Sequence, residues 1–274
     1  MSAQKQVVHD YWNRRSCGTD AAHSRKFSRE YFEEIEAYRY AKEPEIFSFA
    51  QFTRFAGRRL LEVGVGAGTD FLQWVRAGTV AHGIDLTEEA IANVRERLAV
   101  YGLRAAEVRQ GDAEALPYPD SAFDVVYSWG VLHHTPDTPR AVREVVRVLA
   151  PGGVAKIMLY NRRSIVALMW WLRIGLLKGR PWRSIAWALA HHLESPGTKA
   201  FTAGEVRAML AGEPVSALDI TSPLSRSDGF QPEESWKGRL VRRVASAAAR
   251  VLFWREPGWF LLIELRKAPR PDAA

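Results

Sequence analysis

The sequence predicts a doubly wound α/β fold, a mostly parallel sheet with helices on both faces. Three observations predict it. From Arg59 onward, short apolar runs alternate with helical segments, the pattern of strands buried between helical layers. The run "LLEVGVGAGTDF" takes a strand directly into a glycine turn and a helix beginning near Thr69 or Asp70, and such sheets bind ligands at the carboxyl ends of their strands. A chain of 274 residues is long enough for one such domain with elaborations and a sizeable core.

Residues 1–58 read as a charged, aromatic helical cover, in which "SREYFEEIEAYRY" places Ser28 as an N-cap ahead of Glu33 and Glu34. Five strands follow: "RLLEV" (59–63), "TVAHGID" (79–85), "AEVRQ" (106–110), "FDVVYS" (123–128) and "GVAKIMLY" (153–160). The helix in "DLTEEAIANVRERLAVYG" starts at Thr87 with two glutamates suited to its positive end, and Gly102 stops it. After the fourth strand Thr138 is expected to cap a helix and Pro139 to open it. Val142, Val145, Val146 and Leu149 form its apolar stripe, and Pro151 with Gly152 ends it.

Residues 161–200 are an insertion, after which "FTAGEVRAML" reads as the next core helix. "VSALDIT" (215–221) and "WFLLIEL" (259–265) lengthen the sheet. Between them "SWKGRLVRRVASAAARVLFWR" (235–255) reads as an amphipathic helix covering the sheet through Leu240, Val244 and Ala247. The chain therefore divides into a cover (1–58), a ligand-binding part (59–160), a helical insertion (161–200) and the remainder of the domain (201–274).

Composition narrows the function classes. Lys and Arg number 38 against 31 Asp and Glu, a net charge of +7, which admits anionic partners without a polybasic tail. Cys17 is the only cysteine, so an intramolecular disulfide and a CxxC centre are excluded, as in a reducing cytosol. The start lacks the apolar core of a signal peptide, and no run approaches the ~20 apolar residues of a membrane span. A cytoplasmic location is expected. No RNA-binding module is recognisable, and the tryptophans fall in apolar helical contexts, which disfavours nucleic acid.

The most informative motif is the glycine turn. A nicotinamide fingerprint would be GxGxxG, but the third glycine comes one residue early and Thr69 takes its place. The pattern present is ExGxGxG, with Glu62, Gly64, Gly66 and Gly68. Asp85 ends the second strand 21 residues beyond Gly64, a spacing that lets a carboxylate accept from ribose hydroxyls.

Four segments in order, "LLEVGVGAGTD", "GIDLT", "GDAEALPYPDSAFDVVYSWGVLHH" and "RVLAPGGVAKIMLY", resemble the class I S-adenosylmethionine-dependent methyltransferases. The resemblance covers about residues 59–160. It implies a seven-stranded Rossmann-like sheet with a reversed last strand, S-adenosyl-L-methionine as cofactor and S-adenosyl-L-homocysteine as product. It also implies site residues. Gly64 and Gly66 would lie against the methionine part, in a loop with Glu62 and Gly68. Asp85 would hold the ribose, Leu86 would pack on the adenine, and Asp112 with the Ala113 backbone would meet the adenine amino group. Ser128 and Trp129 would border the sulfonium, and Tyr11 and Trp12 would contact the cofactor from the N-terminal arm.

Transfer of an activated methyl group needs in-line positioning, and a base where the nucleophile must lose a proton. Base candidates are His133, His134, Tyr160, Glu194, Tyr11 and Tyr38. The family's matching position favours His133 as the residue facing the acceptor, with His134 on the rim. No metal is expected, because adjacent side chains on an extended segment point to opposite faces.

The insertion has no acidic residue up to Leu193. It carries Arg162, Arg163, Arg173, Lys178, Arg180 and Arg183 beside Trp170, Trp171, Trp182 and Trp187. It reads as a pocket cap for a lipophilic or anionic small acceptor, as a weak membrane-surface contact, or as a hairpin packed on the core. The expected activity is methylation of a small lipophilic molecule of quinol, aromatic or prenyl type. The competing classes are a nicotinamide-dependent oxidoreductase and a non-catalytic cofactor-binding or membrane-associated protein. Oligomeric state is not legible.

Overall fold

A computed structural model describes residues 2–14, 16–229, 235–253 and 257–270. The expected strands form one seven-stranded sheet of order β3-β2-β1-β4-β5-β7-β6. They are β1 (Arg59–Val63), β2 (Val80–Asp85), β3 (Glu107–Gln110), β4 (Phe123–Trp129), β5 (Leu149–Tyr160), β6 (Val215–Thr221) and β7 (Phe260–Lys267). β7 runs antiparallel to both β5 and β6, while β1 to β5 pair in parallel. The chain order reverses between β1 and β4, which opens a crevice at their carboxyl ends.

Each face of the sheet buries its own apolar layer. One includes Leu60, Phe71, Trp74, Tyr127 and Met158, and the other Leu61, Val63, Val126, Val145 and Leu261. Neighbouring residues of β1 thus point to opposite layers, as the pleat requires. The helices between strands are α4 (Thr69–Arg76), α5 (Glu88–Val100) and α6 (Thr138–Val148). Thr87 caps α5 by accepting from the Ala90 N–H at 3.3 Å. The cap of α6 is one residue earlier than expected. Asp137 accepts from the Arg140 N–H (3.0 Å), and the Thr138 hydroxyl instead donates to the Leu132 carbonyl (2.9 Å). Pro151 and Gly152 lie inside β5, where the register with β4 shifts between Phe123 and Val125, so the helix gives way to strand without a separate turn.

The first 58 residues carry α1 (Ala3–Arg14), α2 (Arg29–Lys42) and α3 (Glu45–Ala50). Ser28 caps α2 as expected, accepting from Tyr31 N–H at 3.1 Å. Tyr31, Phe32 and Ile35 of α2 pack with Ala67 of the glycine turn. The insertion forms α7 (Ile165–Trp171), a π-helical turn (Leu172–Leu176) and α8 (Ile185–His192). α9 (Ala203–Met209) follows, closed by a capping box between Thr202 and Glu205.

α10 (Trp236–Leu252) departs from expectation. Gly238, Arg242, Ala245 and Ala249 face the body, whereas Leu240 and Val244 are 54% and 51% exposed. The helix rests on small residues because α7 lies close beneath it, and its bulkier apolar stripe is turned outward. Residues 254 and 255 of that segment lie outside the described residues. Among the described residues no helix is long and apolar enough to cross a membrane.

Candidate functional site

The glycine turn after β1 meets the turn after β2 at a cavity of about 180 Å³. Gly64 has φ +84°, and a Cβ there would fall 2.2 Å from a Val131 methyl. Only hydrogen fits between the glycine turn and the loop after β4. Gly66 has open space before it, and its N–H donates to Asp85 Oδ2 at 3.0 Å. Gly68 plays a different part, with φ +75° and Val94 and Arg97 of α5 against it. It is a close-packing glycine and does not line the cavity.

Asp85 is held by the Thr87 N–H (3.0 Å) and hydroxyl (2.9 Å) on Oδ1. Burial raises its pKa, and the bonds from Gly66 and Thr87 oppose that rise. Glu62 also faces the cavity. It is buried, and Oε2 has no hydrogen-bond partner. Burial, then the charge of Asp70, pushes its pKa well above the usual carboxylate range. Beside it Arg39 of α2 grips Asp70 through Nε (3.1 Å) and Nη2 (2.8 Å) and reaches Glu43 at 3.2 Å. The Tyr127 hydroxyl completes this cluster by donating to Asp70 at 3.0 Å.

Leu86, Asp112 and Ala113 line the same cavity. Lys5 of α1 forms ion pairs with Asp112 and, at 2.7 Å, with Glu114. Partial burial works against the Lys5 charge, but the bonds to the two carboxylates dominate and raise its pKa. α1 is thereby tied over this end of the cavity. Trp129 lines the cavity and donates from Nε1 to Glu43 at 2.8 Å. Ser128 does not line it. Its side chain is buried, and the hydroxyl donates to the Val63 carbonyl at 3.0 Å. Of the two aromatic residues of the N-terminal arm, Trp12 lines the cavity, with Lys5 and Val8 of the same helix, and Tyr11 packs against the Trp12 edge at 5.0 Å between ring centres.

The two histidines occupy a 3-10 turn (Leu132–His134), not an extended segment. Their rings are 4.3 Å apart on one side of the chain, which removes the geometric objection to a shared ion. The positions expected for the pair are exchanged. His133 is fully buried, faces Tyr160 at 3.9 Å between ring centres, and does not line the cavity. Neither of its ring nitrogens has a partner. Burial, with the charges of His134 and Lys199, holds its pKa well below the ordinary value. His134 is the residue on the cavity. Its Nδ1 lies 2.9 Å from Ser195 Oγ and 3.1 Å from Thr198 Oγ1, and its Nε2 lies 3.3 Å from Glu194 Oε2.

Glu194 is the hub of this end. It accepts from the Tyr160 hydroxyl at 3.0 Å on each oxygen. The potential ligand atoms of His133, His134 and Glu194 lie within 4.8 Å of one another. Tetrahedral coordination at about 2.1 Å per bond sets ligand atoms only about 3.4 Å apart, so the widest separation must close before an ion fits.

None of the six basic residues of the insertion, and none of its four tryptophans, lines the cavity. Arg162 pairs with Glu205, and Arg183 lies over Trp187 at 4.7 Å. The insertion reaches the cavity through Glu194. Arg39 and Lys5 belong to the cavity and were missed in the sequence, because nothing local marks a helical residue that docks on a distant loop.

A seven-stranded sheet with a reversed final strand, an open glycine cradle and an acid at the end of the second strand define the Rossmann-like class I S-adenosylmethionine-dependent methyltransferases. Residues 61–157, about a third of the chain, match the family model described as a methyltransferase domain. The chain is 38% identical over 100 residues to 27-O-demethylrifamycin SV methyltransferase of Amycolatopsis mediterranei, covering 36% of this chain and 37% of that one. It is 37% identical over 109 residues to phosphatidylethanolamine N-methyltransferase of Cereibacter sphaeroides, covering 39% and 53%. The chain thus spans between about a quarter and a half of the length of the curated relatives it matches. In fold it is similar to geranyl diphosphate C-methyltransferase of Streptomyces coelicolor, solved with Mg2+, geranyl diphosphate and S-adenosyl-L-homocysteine. That likeness has TM-score 0.61, 16% identity, and coverage of 97% of this chain and 98% of that one.

The cavity fits the cofactor of that class. The unpartnered Glu62 oxygen suits an ammonium group, the open face at Gly66 admits close approach of a ligand, and Asp85 retains acceptor capacity beside its three donors. Arg39 offers a cation near Glu62.

Proposed function

We propose that the protein transfers the methyl group of S-adenosyl-L-methionine to a small lipophilic acceptor that is not anionic where it reacts. The observation that carries this is one cavity with two unlike ends. The Glu62, Gly66 and Asp85 cradle forms one part of its lining, and Trp12, Trp129, Met158, Tyr160 and Glu194 form another, with the Tyr160 hydroxyl on Glu194. Aromatic and thioether walls pack apolar carbon, and a carboxylate among them repels an anion. The two cations on the lining, Lys5 and Arg39, are already ion-paired.

The bound cofactor supplies an electrophilic methyl carbon on a sulfonium. The chain holds a hydroxyl or amino nucleophile of the acceptor in line with it, and such positioning can supply up to ~7–11 kcal/mol in favourable cases. The nucleophile forms the new bond to carbon, and the carbon–sulfur pair stays on sulfur. Glu194 takes the nucleophile's proton, and Tyr160 and His134 hold its carboxylate in place. His133 lacks the reach a general base needs, a few ångströms from the transferred proton. Tyr160 is kept neutral, since burial and then the Glu194 charge raise its pKa far above the ordinary value. The lone Cys17, in a chain without disulfide pairs, supports a cytoplasmic setting.

The test is incubation with methyl-labelled cofactor and fractionated extracts of the source cell. Label is expected in organic-extractable products. Label confined to anionic water-soluble products overturns the acceptor class, and calorimetric binding of NAD in place of S-adenosyl-L-homocysteine overturns the enzyme class.

A further inference from the structure

The outward stripe of α10 has no partner within the described chain, and its surroundings specify one. Trp236, Leu240, Val244 and Val251 fall within roughly a quarter of the helix circumference. Trp236 is 66% and Val251 81% exposed. α10 packs against α7 and the π-helical turn. At the end of that turn and just beyond it the insertion exposes Leu176, Leu177 and Trp182, the last two by 67% and 74%. Eight of the thirteen exposed large apolar side chains among the described residues belong to these two neighbouring segments. The other five are scattered singly through the chain.

The charge around this apolar surface has one sign. Residues 161–193 and 235–253 contain no Asp or Glu. Lys237, Arg239 and Arg250 flank the α10 stripe, and Lys178, Arg180 and Arg183 surround Trp182, all exposed. A second copy of this chain placed on the same face would bring like charges together. A nucleic acid would satisfy the cations and leave the aliphatic stripe in water. An anionic lipid surface satisfies both, since apolar side chains enter the acyl boundary while Lys and Arg stay among the headgroups.

We infer that α10 and the α7–α8 hairpin form an interfacial docking surface for an anionic bilayer. The arrangement also connects that surface with the cavity, because α8 ends at His192, two residues before Glu194. The docking stands whether or not the acceptor is lipophilic.

The test is flotation of the full chain with vesicles of phosphatidylcholine alone or containing phosphatidylglycerol. The wild type is expected to partition at least about tenfold more onto the anionic vesicles, with the excess falling as salt rises. Leu240→Glu with Val244→Glu, and separately Trp182→Glu, should each cut that partition about tenfold while leaving the affinity for S-adenosyl-L-homocysteine unchanged. Equal partition of wild type and both variants overturns the inference. So does a wild-type dimer without vesicle binding that the double variant turns into a monomer, which would assign the stripe to a second copy.

Discussion

The two ends of the cavity are built differently. The cradle end comes from consecutive pieces of chain, in which β1, its glycine turn, β2 and the cap of α5 set Gly66, Asp85 and Thr87 in mutual hydrogen bonds. The end proposed for the acceptor is assembled from remote pieces: Trp12 of α1, Trp129 of β4, Tyr160 of β5 and Glu194 after α8. Backbone geometry fixes the first, and side-chain packing fixes the second. A cradle made of main-chain turns suits a constant ligand, whereas the other end can change with each loop that supplies it.

That contrast can be broken from either side. Glu194→Gln should have the largest effect, a loss of turnover of about 10²–10⁴-fold with little change in cofactor affinity. Single-turnover methyl transfer set beside calorimetry separates the two, and unchanged turnover would remove Glu194 from the chemistry. Asp85→Ala should do the reverse, weakening S-adenosyl-L-homocysteine by about 1–3 kcal/mol, as expected when hydroxyls lose a charged acceptor. An unaltered calorimetric affinity would put the ribose contact elsewhere.

The smallest effect concerns His133, which belongs to neither end. Its pKa is lowered on folding from an ordinary value of 6.5, so below that pH the unfolded chain binds more protons than the folded one. Stability is therefore full above about pH 6.5 and falls as the pH drops, by up to about 1.4 kcal/mol per pH unit. His133→Phe, which keeps a ring against Tyr160, should flatten the decline in urea midpoint between about pH 7 and pH 5. Parallel slopes for the two proteins would show that the imidazole charges without cost.

Legibility in the sequence follows the same division. β1 and β6 fall where apolar patterning places them, and Thr87 and Ser28 cap the helices they precede, because these features depend on neighbours in the chain. Gly64, Gly66 and Asp85 meet at the cavity, because a strand–turn–helix fixes its own geometry. Of the neighbours Tyr11 and Trp12 only Trp12 lines the cavity, and of His133 and His134 only His134, since one step along a helical turn moves a side chain by about 100° and the sequence does not give its phase. Arg39 and Lys5 were invisible, as their partners Asp70 and Asp112 lie far along the chain. α10 shows the opposite failure. Its amphipathic pattern was plain, yet the apolar side turned away from the sheet, because periodicity identifies a stripe and does not say what faces it.

Gly64 sets how firmly the two ends are spaced. With room for only a hydrogen between that turn and Val131, the loop bearing the histidines is stopped by hard-core repulsion. Such a stop rises steeply over tenths of an ångström and is indifferent to salt. The tie from Lys5 to Asp112 and Glu114 is Coulombic, long in range and screened by ions. The protein thus gauges the interval across its cavity with a rigid spacer and closes one end with an adjustable clasp.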